Sequence, residues 1–256
     1  MNILVTNDDG ITAPGLQVLA AALRDLAEVT VLAPNRNWSV SSHKKTLHSP
    51  LRVNSTELGD GSSALTTDGS PADCVALALL GVVERPVDFV VAGINTTHNL
   101  GYDVTYSGTV AAAMEAAIWG IPAIAVSTLD DTEVGYGPAA KIGLQVVRQV
   151  VLRGLPRYTA LNVNVPCAPL AKLKGYKITR LGASPYHQDK LVQRKDPHGG
   201  TYYLIGGDPF SGITENGTDI SAVAEKWVSV TPLQLDVTSH SLVENMRDWD
   251  LKIDLN

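Results

Sequence analysis

No stretch of this chain approaches the ~20 consecutive apolar residues that a bilayer span requires. The opening MNILVTNDDG carries no basic stretch ahead of an apolar one, so neither a membrane anchor nor a secretory leader is expected and the protein is assigned to the cytoplasm. Cysteine is scarce. Cys74 and Cys167 stand 93 residues apart inside apolar segments, a pattern that reads as buried reduced thiols and excludes a disulfide framework. No run of lysine or arginine occurs, and 20 basic residues against 26 acidic ones leave a formal charge of −6. That balance argues against a surface for duplex nucleic acid, although a pocket for a small phosphorylated ligand needs only local donors.

Several catalytic signatures are missing as well. There is no G-x-x-x-x-G-K-[ST], no G-x-G-x-x-G after the first strand and no G-x-S-x-G, which removes the main supports for a P-loop NTPase, a dinucleotide enzyme or a serine hydrolase. Of the six histidines, His43, His48, His98, His187, His198 and His240, none falls in an H-x-x-E-H motif, and His43 and His48, though spaced H-x₄-H, have no C-x₂₋₄-C pair to complete a zinc site. Of these, only His98 falls near the site proposed below, as a surface residue or, less favoured, a catalytic acid. Internal repeats, coiled coil and low-complexity linkers are also absent.

What the chain does have is alternation. Apolar runs at 2–5, 28–33, 87–93, 122–127 and 161–166 read as strands buried on both faces, and segments of helical period at 15–27, 71–83, 108–119 and 139–153 lie between them. That order predicts an α/β protein with a parallel sheet. From about Gly175 the pattern turns to YKITRLG, TYYLIGG and KWVSVTPL separated by Gly, Pro and Asp, with an amphipathic stretch at 239–248. The expected organisation is therefore a Rossmann-like core over 1–175 and a β-rich segment over 176–256 that completes the same domain. Its apolar strands and long connections predict pairing between copies of the chain.

In an open parallel sheet, ligands bind beyond the carboxyl ends of strands. TNDDG at 6–10 puts Asp8 and Asp9 there; the pair suits a divalent cation if the loop lets both carboxylates converge, and a plain turn with a helix cap if it does not. After the second strand, Asn35, Arg36, Ser39, Ser41 and Ser42 offer oxygens and a cation on a loop that in its plainest form is only solvated. After the third, Asn95 and Asn99 precede Ser107, Gly108 and Thr109 at the mouth of a helix. Free N–H groups there make an anion site, and the plainer reading is an N-cap serine and a turn asparagine. Ser127 and Thr128 follow the next strand. Together these residues fit metal-assisted phosphate chemistry.

TNDDG, the AP-N-R segment with Ser39, GSPADCV at 69–75, GIN at 93–95, NLGYDVTYSGTVAAAMEA at 99–116, LNVNVP at 161–166 and VSVTPL at 228–233 together resemble the SurE family across nearly the whole length. The resemblance implies a three-layer α/β/α sandwich whose C-terminal segments exchange between subunits. It implies a metal-dependent 5′-nucleotidase, with a broader acid phosphatase or exopolyphosphatase, or a non-catalytic nucleotide-binding protein, as alternatives. Carried over by position, one Mg²⁺ or Mn²⁺ per subunit would be held by Asp8, Asp9, Ser39 and Asn95. The phosphate of a nucleoside 5′-monophosphate would meet Asn35, Asn95, Asn99, Ser107, Gly108 and Thr109. A homodimer or homotetramer is implied. Water is favoured over Asp8 or Asp9 as nucleophile, since the adjacent pair lacks the D-x-D spacing of aspartyl-phosphate enzymes. Thr97, Val40 and Trp227 stand where the family pattern has glycine or a small residue.

Overall fold

The computed structural model describes residues 1–129, 134–183, 189–207, 215–251 and 253. His187 lies outside them. In chain order the strands are β1 (Asn2–Thr6), β2 (Glu28–Pro34), β3 (Val53–Glu57), β4 (Ser63–Thr67), β5 (Phe89–Asn95), β6 (Ala123–Ser127), β7 (Thr159–Asn164), β8 (Tyr176–Ile178), β9 (Asp189–Lys195), β10 (Thr201–Gly207) and β11 (Val228–Gln234). The helices are α1 (Pro14–Leu23), α2 (Pro71–Leu77), α3 (Gly108–Ile118), α4 (Gly137–Arg153), α5 (Asp219–Ala224) and α6 (His240–Met246).

Nine strands form one sheet in the order β3-β4-β2-β1-β5-β6-β7-β11-β8. The six from β4 to β7 run parallel, and β3 and β11 pair antiparallel with their neighbours β4 and β7. Because side chains alternate along a strand, Ile3 and Val5 enter one core with Leu16, Leu19 and Leu23 of α1 and Ile142, Val146 and Val147 of α4. Leu4 enters the other, with Cys74 and Val75 of α2 and the alanines of α3. The result is a three-layer α/β/α sandwich.

Some details depart from the sequence expectation. β3 and β4 were not anticipated, since VNSTE and SALTT carry little apolar character and β3 is a half-exposed edge strand. The second helix stops at Leu77 and continues only as a wider turn to Val82, where Gly81 takes φ +101°. KWVSVTPL becomes β11. Val228 and Val230 are core residues, and β11 slots between β7 and β8 of the main sheet. Among the described strands only β9 and β10 stand apart, as an antiparallel hairpin that turns at 196–200.

The strand order also locates the site. β1 has β2 on one side and β5 on the other, so successive crossovers leave in opposite directions and open a crevice at the carboxyl ends of β1 and β5. Asp8 and Asn95 lie at those two ends.

Candidate active site

The loop after β1 is closed by Asn7, whose side chain accepts from Gly10 N–H at 3.1 Å and donates to Gly10 C=O at 3.0 Å. This buried turn breaks the strand between Asn7 and Gly10 and frees the carboxylate of Asp8, itself only 3% exposed, to reach α3. Ser107 caps α3 by accepting from Val110 N–H at 3.0 Å. The preceding amide, that of Thr109, donates to Asp8 Oδ2 at 3.1 Å, and the Thr109 hydroxyl bonds Oδ1. A carboxylate at a helix N-terminus is held by unsatisfied amides and the helix dipole together. Gly108 makes the approach possible: a Cβ there would lie 2.8 Å from Asp8 Cβ and 2.9 Å from Ser41 Oγ. Burial pushes the Asp8 carboxyl above its usual range, opposed by its bonds from Thr109 and the adjoining amides.

The loop after β2 wraps the same point. Trp38 N–H donates to Asp8 C=O at 2.7 Å. Asn37 links two of the predicted residues, donating to Asp9 Oδ1 at 3.4 Å and accepting from Ser39 N–H at 2.6 Å. Two carboxylates, one on α2 and one on α3, then pin the rest of the loop. Asp73 accepts from the amide and hydroxyl of Thr46, both at 2.8 Å. Glu115 accepts from His43 at 3.0 Å, Lys45 at 2.7 Å and Trp119 at 3.0 Å. Burial works to raise the Glu115 carboxyl, but His43, Lys45 and Trp119 outweigh it and hold the group at about 2. Val40 adopts φ +59° in the position where the family pattern has glycine, a strained conformation for a β-branched residue.

The end of β5 supplies Asn95. Gly93 takes φ +136°, and a Cβ there would lie 2.3 Å from Val126 C=O, so only glycine lets β5 shift register against β6 and deliver Asn95 to the crevice. The Asn95 amide nitrogen donates to Thr97 C=O at 2.8 Å, which turns its oxygen to the other side. Thr97 itself keeps an ordinary negative φ. His98 donates from Nε2 to Val165 C=O at 2.7 Å, and burial lowers its pKa, so the ring is neutral at pH 7 and tied to the backbone.

Asp8, Ser39, Asn95, Asn99 and Ser107 line one cleft of about 680 Å³. Of the other predicted residues, Asp9 joins through Asn37, while Gly108 and Thr109 sit behind Asp8 and direct their donors to it. Asn99 faces the cleft from a buried network: its side chain donates to Ser127 Oγ at 2.9 Å, and its carbonyl accepts from Asn162 and Asn164. Asn35 lies apart, exposed, with its amide tied to Thr67 C=O at 2.7 Å. Asn7, Asn37, Glu115 and Asp73 were not singled out from sequence. Ser70-Pro-Ala-Asp73 does carry the spacing of a capping box, which the structure forms. Glu115 carries a signal too, as a lone charge on an alanine-rich helix.

Among the described residues no group of three or more His, Cys, Asp and Glu side chains could hold a metal ion. A cation here would therefore rest on two carboxylates and neutral oxygens, a donor set that fits a hydrated Mg²⁺ or Mn²⁺.

Residues 3–188 match the family described as Survival protein SurE. The chain belongs to the SurE family. It is 48% identical over 252 residues to a 5′-nucleotidase SurE of Chloroflexus aggregans, covering 98% of this chain and 99% of that one. It is 49% identical over 248 residues to a 5′-nucleotidase SurE of Herpetosiphon aurantiacus, covering 96% and 97%. The crystal structure of a SurE protein from Aquifex aeolicus superposes with a TM-score of 0.83 at 39% identity, over 96% of this chain and 98% of that one. The SurE relatives thus span the same length as this chain, including β11 and the segment beyond it.

Proposed function

We propose that this protein is a metal-dependent phosphomonoesterase that hydrolyses nucleoside 5′-monophosphates to nucleoside and phosphate. The observation that carries the reading is the buried Asp8 carboxylate, clamped on the N-terminus of α3 and facing a cleft shared with Ser39, Asn95 and Ser107. A divalent cation held by Asp8, Asp9, Ser39 and Asn95 would supply positive charge against the phosphoryl oxygens and make a nearby water more acidic.

The chain's own residues do the rest. Thr109 and the α3 amides fix Asp8, so the substrate phosphate falls to Ser107, Asn95 and Asn99 on the open side of the cleft. Hydrolysis forms one bond from a water oxygen to phosphorus, breaks the bond to the 5′-oxygen of the nucleoside, and returns a proton to that leaving oxygen. A carboxylate with both oxygens already hydrogen-bonded is a poor nucleophile, which supports water as the attacking group. Neutral His98, donating to Val165, is unsuited to serve as the acid.

A homodimer or homotetramer belongs to the same proposal. It is supported by α6, none of whose residues is buried, and by the hairpin β9–β10 with its exposed Leu191, Tyr203 and Leu204. No helix among the described residues is long and apolar enough to cross a membrane. Cys74 is a buried free thiol, which supports a reducing compartment such as the cytoplasm.

The test is phosphate release from adenosine 5′-monophosphate in Mn²⁺ or Mg²⁺ and again after EDTA. We expect turnover that EDTA abolishes and added metal restores. No release under either condition would leave a nucleotide-binding protein instead.

A further inference from the structure

The cleft is chemically two-sided. Asp8, Ser39, Asn95 and Ser107 crowd one side with oxygens, whereas Val40, Tyr106 and Ile205 line it elsewhere with apolar surface. Tyr106 immediately precedes Ser107, so its ring begins one residue away from the phosphate side. It is a large aromatic left half-exposed.

The backbone beneath that ring is pinned from several directions. The turn at Gly101–Thr105 that leads to it is anchored by the fully buried Asp219, which accepts from Gly101 N–H at 2.8 Å. Tyr106 N–H donates to Asp103 C=O at 3.0 Å, and Ser42 N–H donates to Tyr106 C=O at 2.9 Å. The Ser42 hydroxyl adds a bond to Thr105 C=O at 2.7 Å. An aromatic ring on an immobilised backbone loses little freedom on making contact, because only two side-chain torsions remain to be fixed. Every nucleobase offers a π-face to such a ring. A cleft with a phosphate side, a pinned aromatic one residue away and an apolar flank matches a nucleoside phosphate end to end.

We propose that Tyr106 is the platform on which the nucleobase of the substrate stacks, with Ile205 of the β9–β10 hairpin and Val40 closing the apolar side. The inference rests on the phosphomonoesterase reading above and adds a specificity-determining residue to it. Stacking of this kind is tolerant of base identity, so Tyr106 selects nucleotides over other phosphate esters without choosing among bases.

The experiment compares two substrates that share the phosphate and ribose and differ in the base, adenosine 5′-monophosphate and ribose 5-phosphate. Kinetics are measured for wild type, Tyr106→Leu, Tyr106→Phe and Ile205→Ala, each with its melting temperature. For Tyr106→Leu we expect KM for the nucleotide to rise on the order of tenfold to a hundredfold with kcat nearly kept. Its kcat/KM for ribose 5-phosphate should stay within about threefold. Tyr106→Phe, which keeps the ring, restores most of the nucleotide KM. Ile205→Ala sits on an exposed strand, where it leaves folding intact, and should shift the nucleotide KM in the same direction by less. Equal losses on both substrates, or no loss on either, would overturn the assignment, and so would a wild-type enzyme that treats ribose 5-phosphate as well as the nucleotide. Those results leave the phosphomonoesterase reading standing, whereas a wild type inactive on both substrates removes that reading itself.

Discussion

Thr109 grips Asp8 with both of its polar groups, the backbone amide on Oδ2 at 3.1 Å and the side-chain hydroxyl on Oδ1. The helix N-terminus of α3 thus holds a protein carboxylate, and through it the rest of the cleft is aligned. Thr109→Val keeps the shape and the amide but removes the hydroxyl from a buried charge, a loss of about 1–3 kcal/mol. We expect a lower melting temperature for the metal-free protein and weaker Mn²⁺ binding by calorimetry. Unchanged metal affinity would show that this hydroxyl does not orient the site.

Asp9 tests the metal more directly. Asp9→Asn preserves volume but subtracts one charge, and we expect turnover of adenosine 5′-monophosphate to fall on the order of a hundredfold or more at saturating Mn²⁺, as when a main electrostatic stabiliser is lost. Ser39→Ala should cost less, because water replaces a neutral hydroxyl in a hydrated cation shell. Titrating kcat against free Mn²⁺ for both variants checks the order; an Asp9→Asn enzyme as fast as wild type contradicts it.

At Gly108 the sequence alone suggests that a side chain would obstruct the phosphate. The contact distances point to Asp8 instead, since a Cβ would stand 2.8 Å from that residue's own Cβ. Gly108→Ala is therefore expected to weaken metal binding and lower kcat at least tenfold, by pushing Asp8 off the α3 amides. A pure rise in KM with unaltered metal affinity would return Gly108 to the phosphate.

Glu115 makes stability depend on acid. Its carboxyl sits at about 2 in the folded protein against an ordinary 4.5, so the folded state favours the ionised form. The stabilisation is present in full above pH 4.5 and drains away as pH falls toward 2. Wild type should unfold at higher urea than Glu115→Gln at pH 7, and the gap should shrink steadily below pH 4.5. A gap independent of pH would mean that packing, and not charge, separates the two.

The parallel core was legible because β1, β5 and β6 are buried on both faces and must be apolar throughout. The polar edge strand β3 gave no such signal. β11 reads as a strand, yet its place between β7 and β8 depends on pairings with residues more than fifty positions earlier, and periodicity carries no information about partners. At the site, Asp8 and Asn95 were readable from their position after strands. Asn37 and Glu115 act only through the folded loop, where distant segments meet. Gly108 and Thr109 were recognisable as a helix mouth, but the sequence did not reveal which anion fills it.

Asp219 bonds Gly101 N–H and Gly182 N–H at 2.8 Å each, joining a turn of the cleft to a residue 118 positions further along. During synthesis the ribosome therefore releases Asp8, Ser39 and Asn95 long before the wall carrying Tyr106 can be locked. A nascent chain holding all of the proposed metal ligands still has an unfinished cleft, and catalytic competence arrives late, only once α5 has emerged.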